Sequence, residues 1–144
     1  MLYSYMKTED IQIDFHLGKW SMYTLTYNLP NRDIIQMRFQ VDNSDPYMAS
    51  EEDYRWWVML YIGPRRNRDI NVDGIQTGHC GLTGLGVALE ILKYFMENYT
   101  KSGQYIVVNG ADGRRFRIYK HYLSRMGFRE TRYEGIRVMM LKIA

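Results

Sequence analysis

The sequence predicts a mixed α/β (α+β) domain, a mostly antiparallel sheet carrying two main helices. Three observations predict it. Residues 11–41 alternate apolar and polar side chains in three runs separated by short turn clusters. From residue 85 the apolar positions become Leu85, Ala88, Leu89, Leu92, Phe95, Met96 and Tyr99, which is the period of a helix about four turns long. A second helical stripe, Phe116, Tyr119, Leu123 and Met126, follows a short apolar strand, and two strands close the chain. Helices inserted late into a strand meander give a mixed sheet.

Ile11, Ile13 and Phe15 alternate with Gln12, Asp14 and His16, as in a half-buried strand. Residues 19–27 are rich in aromatic and β-branched side chains, with Trp20, Met22 and Thr24 expected on one side. Asn28, Leu29, Pro30 and Asn31 form a turn cluster, and residues 33–41 resume a strand with Ile35, Met37, Phe39 and Val41 on one face. Residues 54–62 are apolar on both faces, the mark of a central strand, and Gly63-Pro64 ends it. Residues 70–76 read as a further short strand and residues 104–108 as a buried one. Asp112 is a candidate N-cap, Gly127 stops the second helix, and Glu134-Gly135 is the hairpin signal between the last two strands. The 144 residues read as one domain, residues 1–62 forming the meander and central strand and residues 70–144 the second half.

Composition narrows the classes of function. A single cysteine, Cys80, excludes an internal disulfide, and His16, His79 and His121 lack the spacing of metal ligands, so no metal is expected. The first ten residues lack the basic start and apolar stretch of a secretion signal, and no apolar run is long enough to span a membrane, so a cytoplasmic location is expected. A net charge of +3, with 16 acidic residues against 19 basic ones, makes a nucleic-acid partner unlikely on charge alone. Arginines gather at Arg65, Arg66 and Arg68 and at Arg114, Arg115 and Arg117, either as solvated surface or as anion contacts. Thirteen tyrosines and ten methionines suit adaptable contact surfaces, so a protein partner and a homodimer are carried as expectations.

The stretch Gly78-His79-Cys80-Gly81-Leu82-Thr83-Gly84-Leu85-Gly86 lies between a predicted strand and the first predicted helix. Glycines let a backbone turn sharply and approach a ligand, and a helix start offers N–H groups to a pyrophosphate. The spacing is neither the dinucleotide fingerprint nor a P-loop. The plainer alternative is a glycine turn that only seats the helix on the sheet.

With these residues the chain resembles the GNAT (acyl-CoA N-acyltransferase) superfamily. Gly84-Leu85-Gly86-Val87-Ala88-Leu89 is similar to the family's glycine loop and helix start, with Gly81 where the family usually has Arg or Gln. Downstream, Tyr119-Lys-His-Tyr-Leu-Ser-Arg-Met-Gly-Phe resembles the helix end of small bacterial and phage-encoded members. The resemblance covers residues 70–143. The helix pair that usually follows the first family strand has no counterpart here. Its implications are acetyl-CoA as co-substrate and a GNAT-like fold whose strands before the two helices splay to admit the pantetheine arm. Ile75, Gln76, Gly81, Leu82, Thr83, Gly84, Leu85, Gly86, Val87, Asn109 and Arg114 would hold the cofactor, with strand backbone from residues 72–75 and 107–109.

Acyl transfer needs a neutral amine, a polarised thioester and a proton for the departing thiolate. The resemblance implies Asp73 as the base, with Asp53 and His79 as weaker candidates. The family's thiolate acid falls at Leu123 here, so Tyr122 and Tyr119 are the candidates nearest that position. Asp73 also reads as a turn residue and both tyrosines as core. Two functions stay open: an N-acetyltransferase acting on an amine of a small molecule or protein, in host cytoplasm if phage-encoded, and a catalytically inactive relative that binds another protein through anchors such as Trp56 or Trp57.

Overall fold

The computed structural model describes residues 6–18, 20–30, 32–42, 54–64, 81–109, 113–133 and 135–144. After a short 3-10 turn at Thr8–Asp10 come strands β1 (Gln12–Leu17), β2 (Trp20–Asn28), β3 (Asp33–Asp42) and β4 (Arg55–Pro64). Helix α1 (Gly81–Tyr99), β5 (Tyr105–Asn109), helix α2 (Gly113–Arg125), β6 (Arg129–Tyr133) and β7 (Ile136–Lys142) follow. The strands form one seven-stranded sheet in the order β1-β2-β3-β4-β5-β7-β6. Every neighbouring pair is antiparallel except β4 and β5, which run parallel with α1 between them in sequence. A parallel pair needs such a crossover. The expected mixed, mostly antiparallel sheet with two helices is therefore observed, and β4, apolar on both faces, is its middle strand.

One row of directly paired residues crosses the whole sheet: Phe15, Tyr23, Phe39, Val58, Val108, Met139 and Glu130. Paired residues share a face, so the row marks the face on which the helices lie. Phe95 of α1 stacks on Phe39 with centroids 3.7 Å apart. Lys120 of α2 reaches Glu130 at 3.1 Å, and Leu123 and Phe128 join the same core. The expected face of β3 holds, since Ile35, Met37, Phe39 and Val41 are all buried. On β2 the buried aliphatic position is Leu25 rather than Met22 or Thr24, and Tyr23 beside it meets Phe95 and Tyr99. Alternation revealed a strand there, but polar and apolar residues occur on both of its faces, so the pattern did not choose the inner one.

Trp56, Phe95, Tyr23, Tyr54, Tyr94 and Tyr99 close one end of the sheet as an aromatic cluster. Burial raises the pKa of Tyr54 and Tyr99 above the ordinary 10.0, and neighbouring phenols add to the shift: Tyr23 for Tyr54, Tyr94 and Tyr23 for Tyr99. The stability carried by these neutral phenols is full below the unfolded value and is lost as pH climbs through the higher folded values. Ultraviolet titration should find a tyrosine fraction ionising after the rest. A single transition at the ordinary value for all thirteen tyrosines would contradict this packing.

Helix α2 ends as expected at Gly127, whose φ of 98° is left-handed. The N–H of Phe128 donates to Leu123 C=O (3.1 Å) and that of Gly127 to Ser124 C=O (3.2 Å). These are the paired bonds of a Schellman end, with the accompanying apolar pair Leu123 and Phe128 both buried. A Cβ at Gly127 would have room, 3.5 Å from Leu141, so the backbone angle alone is strained by substitution. Gly127→Ala should cost about 1–2 kcal/mol in denaturant unfolding. An unchanged midpoint would mean that the helix end is not held in this conformation.

Candidate functional site

Among the described residues, the strands that precede the two helices are β4 and β5. They pair over Arg55↔Tyr105, Trp56↔Ile106, Trp57↔Val107 and Val58↔Val108, and the ladder stops there. β4 is ten residues long and β5 five, so β4 runs on to Pro64 along β3 while Asn109 pairs with Val138 of β7. The phase of the ladder is set where Tyr105 N–H donates to Tyr54 C=O (2.8 Å). By the alternation of a strand, even-numbered residues of β4 direct N–H and C=O toward β5. The next bond in sequence would join Leu60 N–H to Asn109 C=O, and the ladder does not extend to it. Among the described residues, no strand pairs with the β5-facing side of β4 beyond Val58, and the main-chain groups of Leu60 and Ile62 on that side have no ladder partner there.

The end of β4 is braced. The Tyr61 hydroxyl donates to Pro64 C=O (2.7 Å), passing so close to Gly63 that a Cβ there would lie 2.7 Å from the phenol oxygen. Only glycine fits under that contact. At the opposite end, Trp56 Nε1 donates to Gln104 Oε1 (3.0 Å), which also accepts the Lys101 N–H (2.9 Å). The two strands are thus tied at their amino ends, and their ladder ends at Val58 and Val108.

Helix α1 runs antiparallel to β4. Phe95, near its carboxyl end, touches Trp56 at the start of β4, with centroids 5.3 Å apart. Gly81, about 21 Å back along the helix, therefore lies toward the carboxyl end of β4. The helix starts at Gly81 rather than near Leu85, so the expected glycine loop is helical from Gly81 through Gly86. Two glycines argue locally against a helix. Packing overrides them: Gly84 and Gly86 are buried, as are Leu85, Val87 and Ala88. The consequence for ligand binding is specific. Helical bonding takes up the N–H groups of Leu85, Gly86 and Val87, which leaves those of Gly81, Leu82 and Thr83 in the first turn. Neither α1 nor α2 carries an acidic residue in its first turn, and that of α2 holds Arg114 and Arg115. Acids are the favoured residues there, because they offset the positive end of the helix dipole.

A scan against protein-family models and a search of curated proteins find no match to this chain. Its own geometry must carry the functional reading.

Of the residues singled out in the sequence, Asp73, Ile75 and Gln76 lie outside the described residues, as do Asp53, His79, Cys80, Arg65, Arg66 and Arg68. So does the predicted strand at 70–76; the strand beside β5 is Arg55–Pro64. Asn109 is exposed at the end of β5. Leu123 is a core residue, 2% exposed, while Tyr122, one position earlier, is half-buried with its ring against His121. Tyr119 and Arg114 lie on α2. Trp56 is not a surface anchor: it is 4% exposed inside the aromatic cluster. The groups that sequence reasoning missed are the main-chain ones of Leu60 and Ile62. Residues 54–62 read as a central strand that Gly63-Pro64 merely ended, and nothing in that pattern distinguishes a carboxyl end paired on both sides from one whose ladder with β5 has ended.

Among the described residues no group of His, Cys, Asp and Glu is placed to hold a metal, and no helix is long and apolar enough to cross a membrane.

Proposed function

We propose that this chain is an N-acyltransferase of GNAT type that transfers an acetyl group from acetyl-CoA to an amine. The observation that carries the reading is the end of the β4–β5 ladder at Val58 and Val108, beyond which β4 runs on without a described partner on that side. It supports an extended amide-bearing ligand lying between the strands, because main-chain donors and acceptors on Leu60, Ile62 and Asn109 match the amides of a pantetheine arm. The first turn of α1 supplies N–H groups for the diphosphate, and Arg114 supplies charge for the same phosphates. In the reaction the amine lone pair attacks the thioester carbonyl, the nitrogen gives up a proton to a base or to water, the C–S bond breaks, and the thiolate takes up a proton. Asp73 is proposed as the base that keeps the amine neutral. Tyr122 is proposed as the proton donor, with Tyr119 one turn earlier as the alternative.

A second reading has its own observation. Leu123 stands where the resemblance implies the thiolate's acid, and it is committed to the core. That favours a GNAT-like protein that has lost catalysis and binds another protein. Isothermal titration with acetyl-CoA tests the first reading. Saturable binding at one site per chain is expected below about 1 mM, followed by turnover on a panel of amines. Binding without turnover supports the second reading, and no binding removes the first.

A further inference from the structure

β1 is an outer strand of the sheet, and among the described residues nothing pairs with its outer side. Sheet edges are commonly protected by proline, lysine, a bulge or charge. The other edge, β6, follows that rule: Arg129, Glu130 and Arg132 line it, and Glu130 is held by Lys120 (3.1 Å) and Arg137 (3.2 Å). β1 does not. Its sequence, Gln-Ile-Asp-Phe-His-Leu, has neither proline nor lysine, and it pairs with β2 without a bulge. Phe15 is 53% exposed and Leu17 70%. The sequence places Phe15 on the apolar side of a half-buried strand, yet within β1 only Ile13 is partly covered.

The direction of the main-chain groups follows from the ladder phase. Even residues of β4 turn toward β5, so odd ones turn toward β3. Alternation through Met59↔Arg38, Phe39↔Tyr23 and Thr24↔Asp14 then turns Gln12, Asp14 and His16 toward β2. The N–H and C=O groups of Ile13, Phe15 and Leu17 face outward.

We infer that two copies of this chain join edge to edge through β1, antiparallel and centred on Phe15. Outward groups on odd residues permit only registers that pair odd with odd. Centring on Phe15 sets Ile13 opposite the partner's Leu17 and Phe15 opposite the partner's Phe15, which makes an apolar row on one face. On the other face it sets Asp14 opposite the partner's His16, twice, in hydrogen-bonding chemistry. Shifting by one allowed step sets Asp14 opposite Asp14 or His16 opposite His16 and shortens the ladder. The strand is therefore self-complementary in one register, as a two-fold interface requires. The product is one continuous sheet through both copies.

Sedimentation equilibrium of the full chain tests this. A reversible dimer with a dissociation constant on the order of micromolar is expected. Leu17→Lys, at a mostly exposed position, should leave the melting temperature of the monomer unchanged and weaken the dimer roughly tenfold or more. Asp14→His alone sets histidine against histidine and should weaken it too. Combining Asp14→His with His16→Asp restores the complementary pair and should restore the dimer. A chain that stays monomeric at every concentration, leaving the edge to a strand of another protein, overturns the inference. A dimer indifferent to Leu17→Lys, or one that the exchange fails to restore, overturns it equally.

Discussion

Replacing Phe95 by alanine should cost about 3–5 kcal/mol of unfolding free energy. Phe95 is fully buried at the meeting point of α1 with β2, β3 and β4. It stacks on Phe39 at 3.7 Å and on Tyr99 at 5.5 Å, and meets Trp56 at 5.3 Å and Tyr23 at 5.7 Å. Truncation removes the ring's transfer free energy and leaves a cavity walled by four rigid aromatics. Rings tied into other contacts, such as Trp56 bonded to Gln104, cannot collapse into that space. Domains of this size hold only about 5–15 kcal/mol in all, so the variant should be marginal. Phe95→Leu, which keeps much of the volume, should recover more than half of the loss. Guanidinium unfolding gives the comparison, with an unchanged slope as the sign that the two-state transition persists. A loss below about 1 kcal/mol would mean that α1 does not seat on the sheet through this cluster.

The same helix separates what the sequence makes legible from what it does not. The stripe from Leu85 to Tyr99 is periodic because one side of the helix meets the sheet: Leu85, Ala88, Leu92 and Phe95 are buried, and Leu89, Met96 and Tyr99 pack partly buried against the core. The first turn escaped because Gly81, Gly84 and Gly86 carry no side chain to register a period, and local propensity argues against them. Only the fold, which buries Gly84 and Gly86, makes this turn helical. Gly127 was legible because a left-handed helix end demands that residue. The exposure of Phe15 was not, because alternation identifies a strand and says nothing of how far the covering helix reaches. The end of the β4–β5 ladder stands between these cases. It follows from two parallel neighbours of unequal length, ten residues against five, which no single segment reveals.

Thr83→Glu should move folding and cofactor binding in opposite directions. Thr83 stands in the first turn of α1, where no acidic residue offsets the helix dipole. A carboxylate there stabilises the free protein by about 0.3–1 kcal/mol, so the melting temperature without ligand should hold or rise. On the proposed function, acetyl-CoA at about 100 times its dissociation constant should add about 2.7 kcal/mol to the wild type, a rise of roughly 5–10 °C at this chain length. On the proposed function, a carboxylate at position 83 would bring like charge to the first turn that receives the diphosphate, at a cost of several kcal/mol. The ligand-induced rise should disappear although the protein is no less stable. Thr83→Gln, similar in size and uncharged, should keep most of it. The opposed signs matter because a variant that merely damages the fold lowers both quantities together. If acetyl-CoA raises the melting temperature of Thr83→Glu as much as that of the wild type, its phosphates do not rest on this helix, and the ligand site must be sought elsewhere on the sheet.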